Sequence, residues 1–168
     1  NILTETYGAS TSFTLILSVL LLFLNIVAVS FIVFIYRKLG RNEVKTVLLM
    51  GILALPLAVA LIFYESMPMA VATVLMIVIT MAFYSAGQII LINYPQRFYS
   101  YGLTAMIGGL INCFAAVGNV VASYGGGFIA DNFGWRVLIV IWVVLIAVFV
   151  ILALIAFPVW RRFLAKQK

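Results

Sequence analysis

Metal-binding and charged side chains are scarce in this sequence, and their absence excludes several kinds of site. The 168 residues include no histidine and one cysteine, Cys113, so neither a zinc site built from these residue types nor an intrachain disulfide can form. A catalytic Ser–His pair is excluded for the same reason. Only four residues are acidic, and no two of them are predicted to lie at one membrane depth, which excludes paired catalytic carboxylates. We therefore expect neither an enzyme nor a bound metal or cofactor.

Hydrophobic residues make up 67% of the chain and charged residues only 8%. A soluble domain carries about 25% charged residues, so this composition indicates a protein that crosses a lipid bilayer several times. Five apolar stretches of roughly 20 residues or more are each long enough to cross ~30 Å of hydrocarbon as a helix. They cover residues 11–36, 45–64, 69–93, 101–124 and 137–160. The predicted fold is an all-α polytopic membrane protein with five transmembrane helices.

The basic residues predict how this protein is oriented. If the five stretches alternate in direction, Arg136 lies on one side of the membrane and the other nine basic residues lie on the opposite side. These nine are Arg37, Lys38, Arg41, Lys45, Arg97, Arg161, Arg162, Lys166 and Lys168. Positive charge is retained in the cytoplasm, so the N-terminus is predicted outside and the C-terminus inside a plasma (inner) membrane. The net charge of +6 then reflects contact with anionic lipid headgroups, and we expect the lipid bilayer as partner and no nucleic acid.

An internal repeat relates residues that are 94 positions apart. Nine identities occur without a gap over residues 7–52. They pair Tyr7–Gly8 with Tyr101–Gly102, Asn25 with Asn119, Val27 with Val121, Ala28 with Ala122, Phe34–Ile35 with Phe128–Ile129, Gly40 with Gly134 and Ile52 with Ile146. Because the two copies cross the membrane in opposite directions, they form an inverted repeat, which is a common plan of secondary transporters. The stretch 69–93 begins the second copy, so the repeat predicts a counterpart helix before residue 1, with residues 1–10 as an external loop.

Three helices that are inverted and repeated resemble half of a major facilitator superfamily transporter. Lys38, Gly40 and Arg41 resemble the end of the cytoplasmic loop motif of that superfamily, G-x-x-x-D-R/K-x-G-R/K-R/K. The chain departs from the motif at three positions, since Val33 replaces its first glycine, Arg37 its aspartate and Asn42 its last basic residue.

A second stretch, residues 95–135, resembles the eleventh helix of the same superfamily and the loop that follows it. Its run Gly108–Gly109–Leu110–Ile111–Asn112 and its terminal Phe133–Gly134–Trp135 are similar to the sugar-phosphate and organophosphate permease branch. The resemblance implies that this chain covers helices eight to twelve of a twelve-helix protein. The seventh helix and the N-terminal half of the same transporter are then its expected partners.

Polar residues at helical spacing on the first, third and fourth stretches predict where a solute would pass. Polar side chains in a membrane turn toward protein or a water-filled cavity. The candidates for a substrate path are Asn25, Thr80, Tyr84, Gln88 and Asn112. The resemblance implies that the tenth helix lines a central cavity, flanked by the eighth and eleventh. The alternative is that such residues only hydrogen-bond to a neighbouring helix, and this remains open.

Small residues on the fourth stretch predict close helix packing, because they let two backbones approach each other. This set comprises Gly102, Gly108, Gly109, Gly118 and Asn119. The second and fifth stretches are apolar all round, so they are expected at the periphery, facing lipid. No charged residue is predicted at mid-membrane, and Glu43 is assigned to the cytoplasmic loop.

Two classes of function remain. The first is a secondary active transporter that moves a small polar solute or organic anion by alternating access, and the resemblance adds sugar phosphates as candidates. The second is a small non-transporting scaffold or assembly subunit, which fits the apolar composition but does not account for the repeat. A channel would require a ring of like charges, and the sequence predicts none.

Overall fold

The computed structural model of this protein describes residues 2–166 and is all-helical, with no strand among those residues. Six α-helices occur: α1 Ile2–Tyr7, α2 Thr11–Lys38, α3 Glu43–Leu61, α4 Met69–Gln96, α5 Thr104–Phe133 and α6 Trp135–Lys166. Two short 3₁₀ turns, Tyr64–Ser66 and Tyr99–Tyr101, follow α3 and α4. Lys168, predicted at the cytoplasmic end, lies outside the described residues.

The long helices confirm the all-α part of the predicted fold class. Each of α2 to α6 has 19 to 32 residues and is long and apolar enough to cross a membrane. The ends of α2, α3 and α4 lie within three residues of the predicted ends. The chain is therefore compatible with a multi-pass membrane protein.

Long-range contacts show that successive helices run in opposite directions. Trp135, at the start of α6, donates from Nε1 to Glu5 Oε2 of α1 at 2.6 Å. At the other end, Arg97 after α4 and Trp160 late in α6 both bind Glu43 at the start of α3. We call this second end, formed by residues 36–46, 93–98 and 157–166, the basic end. It contains the eight described basic residues that were predicted to share a side. Its cytoplasmic orientation stays a prediction.

Of the two helices that the sequence analysis placed at the periphery, α3 and α6, α3 is the most buried of all the long helices. It packs extensively against α4 and α6 and also touches α2. Gly51 explains the close approach to α6, because a Cβ at this position would lie 2.9 Å from Val150 Cγ2 and 3.3 Å from Phe149 Cε1. The expectation that α3 lies at the periphery and faces lipid was wrong. An apolar helix surface can pack against another helix as well as against lipid.

Helix α5 has the opposite character, since none of its residues is buried within the described part of the chain. It touches α6 and, less extensively, α4. Helix α5 also continues nine residues beyond the predicted end, through Gly125–Gly126–Gly127 to Phe133. In water, glycine residues destabilise a helix and favour its termination. In hydrocarbon, the backbone hydrogen bonds must be satisfied within the helix, which favours its continuation.

Two further segments differ from expectation. Residues 2–7 form helix α1 and not an irregular loop, because Ile2 and Leu3 are buried against Leu61 and Ala72. Helix α6 continues through Pro158 and beyond residue 160, its predicted end, as far as Lys166. A proline removes one backbone N–H, and neighbouring helices can compensate for this loss.

Candidate functional site

The candidate site is a buried polar cluster at the basic end, and the turn between α2 and α3 builds it. Gly40 adopts a left-handed backbone with φ +74°. The N–H of Arg41 donates to the carbonyl of Tyr36 at 2.9 Å, and the N–H of Gly40 donates to that of Arg37 at 3.2 Å. This is a Schellman motif, in which a glycine ends a helix while its last carbonyls remain paired. The chain therefore reverses within four residues.

Asn42 then starts α3 and fixes the residue that follows it. Its side chain accepts a hydrogen bond from the N–H of Lys45 at 2.8 Å, as an N-cap does. The hydroxyl of Thr46 donates to the Asn42 carbonyl at 2.9 Å. Glu43 thereby occupies the first turn, where the partial positive charge of the helix N-terminus favours a carboxylate. The cap also accounts for Asn42 at a position where the resembled loop motif has a basic residue.

The Glu43 side chain is fully buried and accepts hydrogen bonds from three other segments. Tyr36 of α2 donates its hydroxyl to Oε1 at 2.6 Å, and Arg97 donates Nε to the same oxygen at 2.7 Å. Trp160 of α6 donates Nε1 to Oε2 at 3.1 Å. Arg97 also donates from Nη2 to the Tyr36 hydroxyl at 3.2 Å and to the Arg41 carbonyl. One carboxylate therefore joins the ends of four long helices.

Aromatic rings cover the cluster and reduce its contact with water. Tyr94 and Trp160 stack with centroids 4.5 Å apart and an interplanar angle of 18°. Phe163 stacks on Trp160 at 5.0 Å and on Phe98 at 5.3 Å. Within this environment burial lowers the pKa of Arg97, and the hydrogen bond and charge of Glu43 more than offset that effect, so the pKa is raised. The Arg97 guanidinium is therefore held in its charged form beside Glu43.

The sequence analysis missed this cluster. It placed Glu43 in the cytoplasmic loop, but Glu43 is fully buried in the first turn of α3. Its partners Arg97 and Trp160 are 54 and 117 positions away, and no local pattern links them. The available signal was compositional: Glu43 is one of only four acids in the chain and directly follows Asn42, a residue type that favours helix N-caps.

Of the five candidates for a substrate path, the structure brings two together. Thr80 and Tyr84 line one groove of about 600 Å³ between α4 and α6, opposite Trp142 and Phe149. The groove is mostly apolar, and the hydroxyl of Thr80 donates within its own helix, to the Met76 carbonyl at 2.7 Å. A role of this pair in a substrate path stays a prediction.

The other three candidates lie apart from that groove. Asn25 is buried on α2, and its Oδ1 has no hydrogen-bond partner among residues 2–166. Gln88 is half-buried on α4, and Asn112 is exposed on α5. A role of these residues in a substrate path stays a prediction.

The small residues of α5 make few close contacts. A Cβ at Gly108 would lie 3.8 Å from Pro95, whereas Cβ atoms at Gly102, Gly109 and Gly118 would meet no atom within 4 Å in the described structure. Gly102 serves a different purpose here, since its φ of +69° ends the 3₁₀ turn before α5. Asn119 is exposed. Close packing at this face stays a prediction for a surface outside residues 2–166.

The loop-motif residues form the rim of the basic end. Lys38 lies with its Nζ 4.6 Å from the centroid of the Phe34 ring, and Gly40 and Arg41 both have positive φ.

Comparisons with known proteins give no further information: no family model matches this chain, and neither a curated protein nor a solved structure matches it.

Proposed function

We propose that this chain is the C-terminal helical bundle of a secondary active transporter of the major facilitator type. The transporter moves a small polar solute or organic anion across the membrane by alternating access, and a sugar phosphate is the first candidate substrate. In this proposal α2 to α6 correspond to helices eight to twelve, and a seventh helix and an N-terminal half complete the protein.

The observation that carries the proposal is a common spacing of 94 residues between glycines with positive φ. Among residues 2–166, four glycines have positive φ, and they form two pairs separated by 94 positions: Gly8 (+64°) with Gly102 (+69°), and Gly40 (+74°) with Gly134 (+82°). The same spacing carries α2 onto residues 105–132, which coincide within one residue at each end with α5. Special backbone geometry is independent of apolar composition, so this agreement supports the inverted repeat more strongly than matches of Val or Ile do.

The exposed polar residues of α5 also support a larger assembly. Asn112 and Asn119 are exposed on a helix long and apolar enough to span a membrane. An amide in hydrocarbon needs a hydrogen-bond partner, so such residues face protein or a water-filled cavity. A transporter whose second half faces α5 would supply both.

The Glu43 cluster fits the mechanical requirement of this function. Alternating access in such folds is largely a rigid-body rocking of one bundle against another. Glu43 belongs to the first copy of the repeat, and its partners Arg97 and Trp160 belong to the second. The cluster therefore ties the two copies together at one end, so that they would move as one body.

The test is transport by the native polypeptide reconstituted in liposomes. Counterflow of a labelled hexose phosphate is measured against the neutral hexose, with empty liposomes as the blank. We expect saturable counterflow of the phosphorylated or another small anionic solute, reduced when Tyr84 is changed to Phe and unchanged for Tyr99→Phe, an exposed residue of the 3₁₀ turn that follows α4. A protein that is correctly folded and moves no member of a panel of polar and anionic solutes would favour the scaffold reading.

A further inference from the structure

A second polar feature of the basic end lies beside the Glu43 cluster and shares Tyr36 and Arg97 with it. It is a cavity of about 360 Å³ between the C-terminal ends of α2 and α4. Three arginines line it, Arg37, Arg41 and Arg97, together with the amides Asn93 and Gln96. Its volume falls within the range of small-molecule sites, which is roughly 300–1,000 Å³.

The charges around this cavity leave an excess of positive charge. Arg97 is paired with Glu43, which is fully buried and bound by other donors. Arg37 and Arg41 are exposed, and within the described chain neither forms an ion pair with a carboxylate. The C-terminal ends of α2 and α4 contribute only about half a negative charge each. Two unpaired guanidinium groups therefore outweigh the negative charge that faces them.

The backbone holds one of these arginines in an uncommon conformation. Arg41 has φ +54°, in the left-handed region that a non-glycine residue seldom adopts. Its N–H is bound to the Tyr36 carbonyl, and its own carbonyl accepts from Arg97. The two bonds fix Arg41 at the edge of the cavity and direct these backbone groups into the turn. Such outliers persist where the surrounding structure imposes them, and they cluster at binding sites.

We propose that this cavity binds a phosphate monoester or diester, with Arg37 and Arg41 holding the phosphoryl oxygens and Asn93 and Gln96 donating to the organic part. The planar guanidinium fork matches phosphate oxygens in pairs, whereas an ammonium acts as a point charge. The site lies at the ends of two membrane-length helices, so both an anionic lipid headgroup and a soluble organophosphate can supply this chemistry. The proposal does not depend on transport, because binding at this end requires no movement of a solute across the membrane.

The experiment uses the full-length protein in nanodiscs. Binding of glycerol 3-phosphate is measured by calorimetry in phosphatidylcholine discs, and retention of phosphatidylglycerol is measured by native mass spectrometry after purification from mixed discs. The test variant is R37Q/R41Q. Its matched control is R161Q/R162Q, which removes the same charge from exposed positions at the same end and outside this cavity.

We expect R37Q/R41Q to lose at least tenfold in affinity for one of the two probes, while R161Q/R162Q loses less than threefold. Loss for glycerol 3-phosphate identifies a soluble organophosphate site, and loss for phosphatidylglycerol identifies a headgroup site. Equal losses in both double variants would overturn the proposal, since they would indicate general surface attraction. Absence of binding to either probe by the unchanged protein would overturn it as well. The variant R37K/R41K keeps the positive charge but loses the paired hydrogen bonds of the guanidinium groups. We expect it to retain only part of the affinity of the unchanged protein.

Discussion

The buried ion pair at the basic end predicts a specific pattern of stability in two single variants and their combination. Glu43→Gln preserves the shape of the side chain and an oxygen that can accept from Tyr36 or Trp160, but it leaves Arg97 without its carboxylate. Arg97→Gln leaves the Glu43 carboxylate in a site with no exposed surface. Removing one member of a buried pair costs about 3–5 kcal/mol, because the other charge remains without compensation.

The exposure of the two partners decides which variant is affected more. The side chain of Arg97 retains 27% of its accessible surface, whereas that of Glu43 retains 0%. Water can therefore re-solvate an unpaired Arg97 in part, and it cannot reach an unpaired Glu43 without opening the structure. We expect Glu43→Gln to cost about 3 kcal/mol and Arg97→Gln to cost closer to 5 kcal/mol.

The double variant E43Q/R97Q tests the pairing itself. Because no charge is left buried, its cost should fall at least about 2 kcal/mol below the sum of the two single costs. The assay is reversible denaturation of the purified protein in detergent, followed by far-UV circular dichroism, with Arg162→Gln as an exposed control. Additive effects within about 0.5 kcal/mol would refute the coupling. A Glu43→Gln variant as stable as the parent would refute the burial argument.

Three further changes test other contacts under the same assay. Gly51→Val should destabilise the protein by about 1–3 kcal/mol, because a Cβ at this position would lie 2.9 Å from Val150 Cγ2. Adding Val150→Ala should restore part of the lost stability, and no restoration would refute the steric argument. Asn42→Lys, which restores the basic residue of the resembled loop motif, should cost about 0.5–2 kcal/mol through loss of the cap, while Asn42→Asp should be nearly neutral. Gly40→Ala should cost about 1–2 kcal/mol because of its left-handed backbone, and an unchanged midpoint would contradict that geometry.

The sequence predicted the helices well because hydropathy and length are local properties. Helix ends were less predictable. The three glycines at 125–127 suggested a break, yet the backbone hydrogen bonds favoured a continuous helix as far as Phe133. The same limit applies to α1, whose formation depends on burial of Ile2 and Leu3 against residues far along the chain.

The candidate site was less predictable than the fold, for a physical reason. A buried carboxylate is stabilised by the donors around it, and those of Glu43 come from three segments that converge only in the folded bundle. The burial of α3 between other helices was not predictable either. Its residues are apolar, and apolar residues are found both where a helix contacts lipid and where it contacts another helix. The turn at Gly40 was the exception, since glycine next to basic residues was visible in the sequence.

The position of Trp160 gives this protein an internal optical reporter. It is 6% exposed, stacked on Tyr94 and bonded to Glu43, whereas Trp142 is 46% exposed on the same helix. The emission of an indole depends on its stacking, its hydrogen bond and its access to water. Opening of the basic end would alter all three at Trp160. With Trp135, Trp142 and any tryptophan outside these 168 residues replaced by Phe, the fluorescence of Trp160 would follow the motion of four helix ends in real time, without any attached dye.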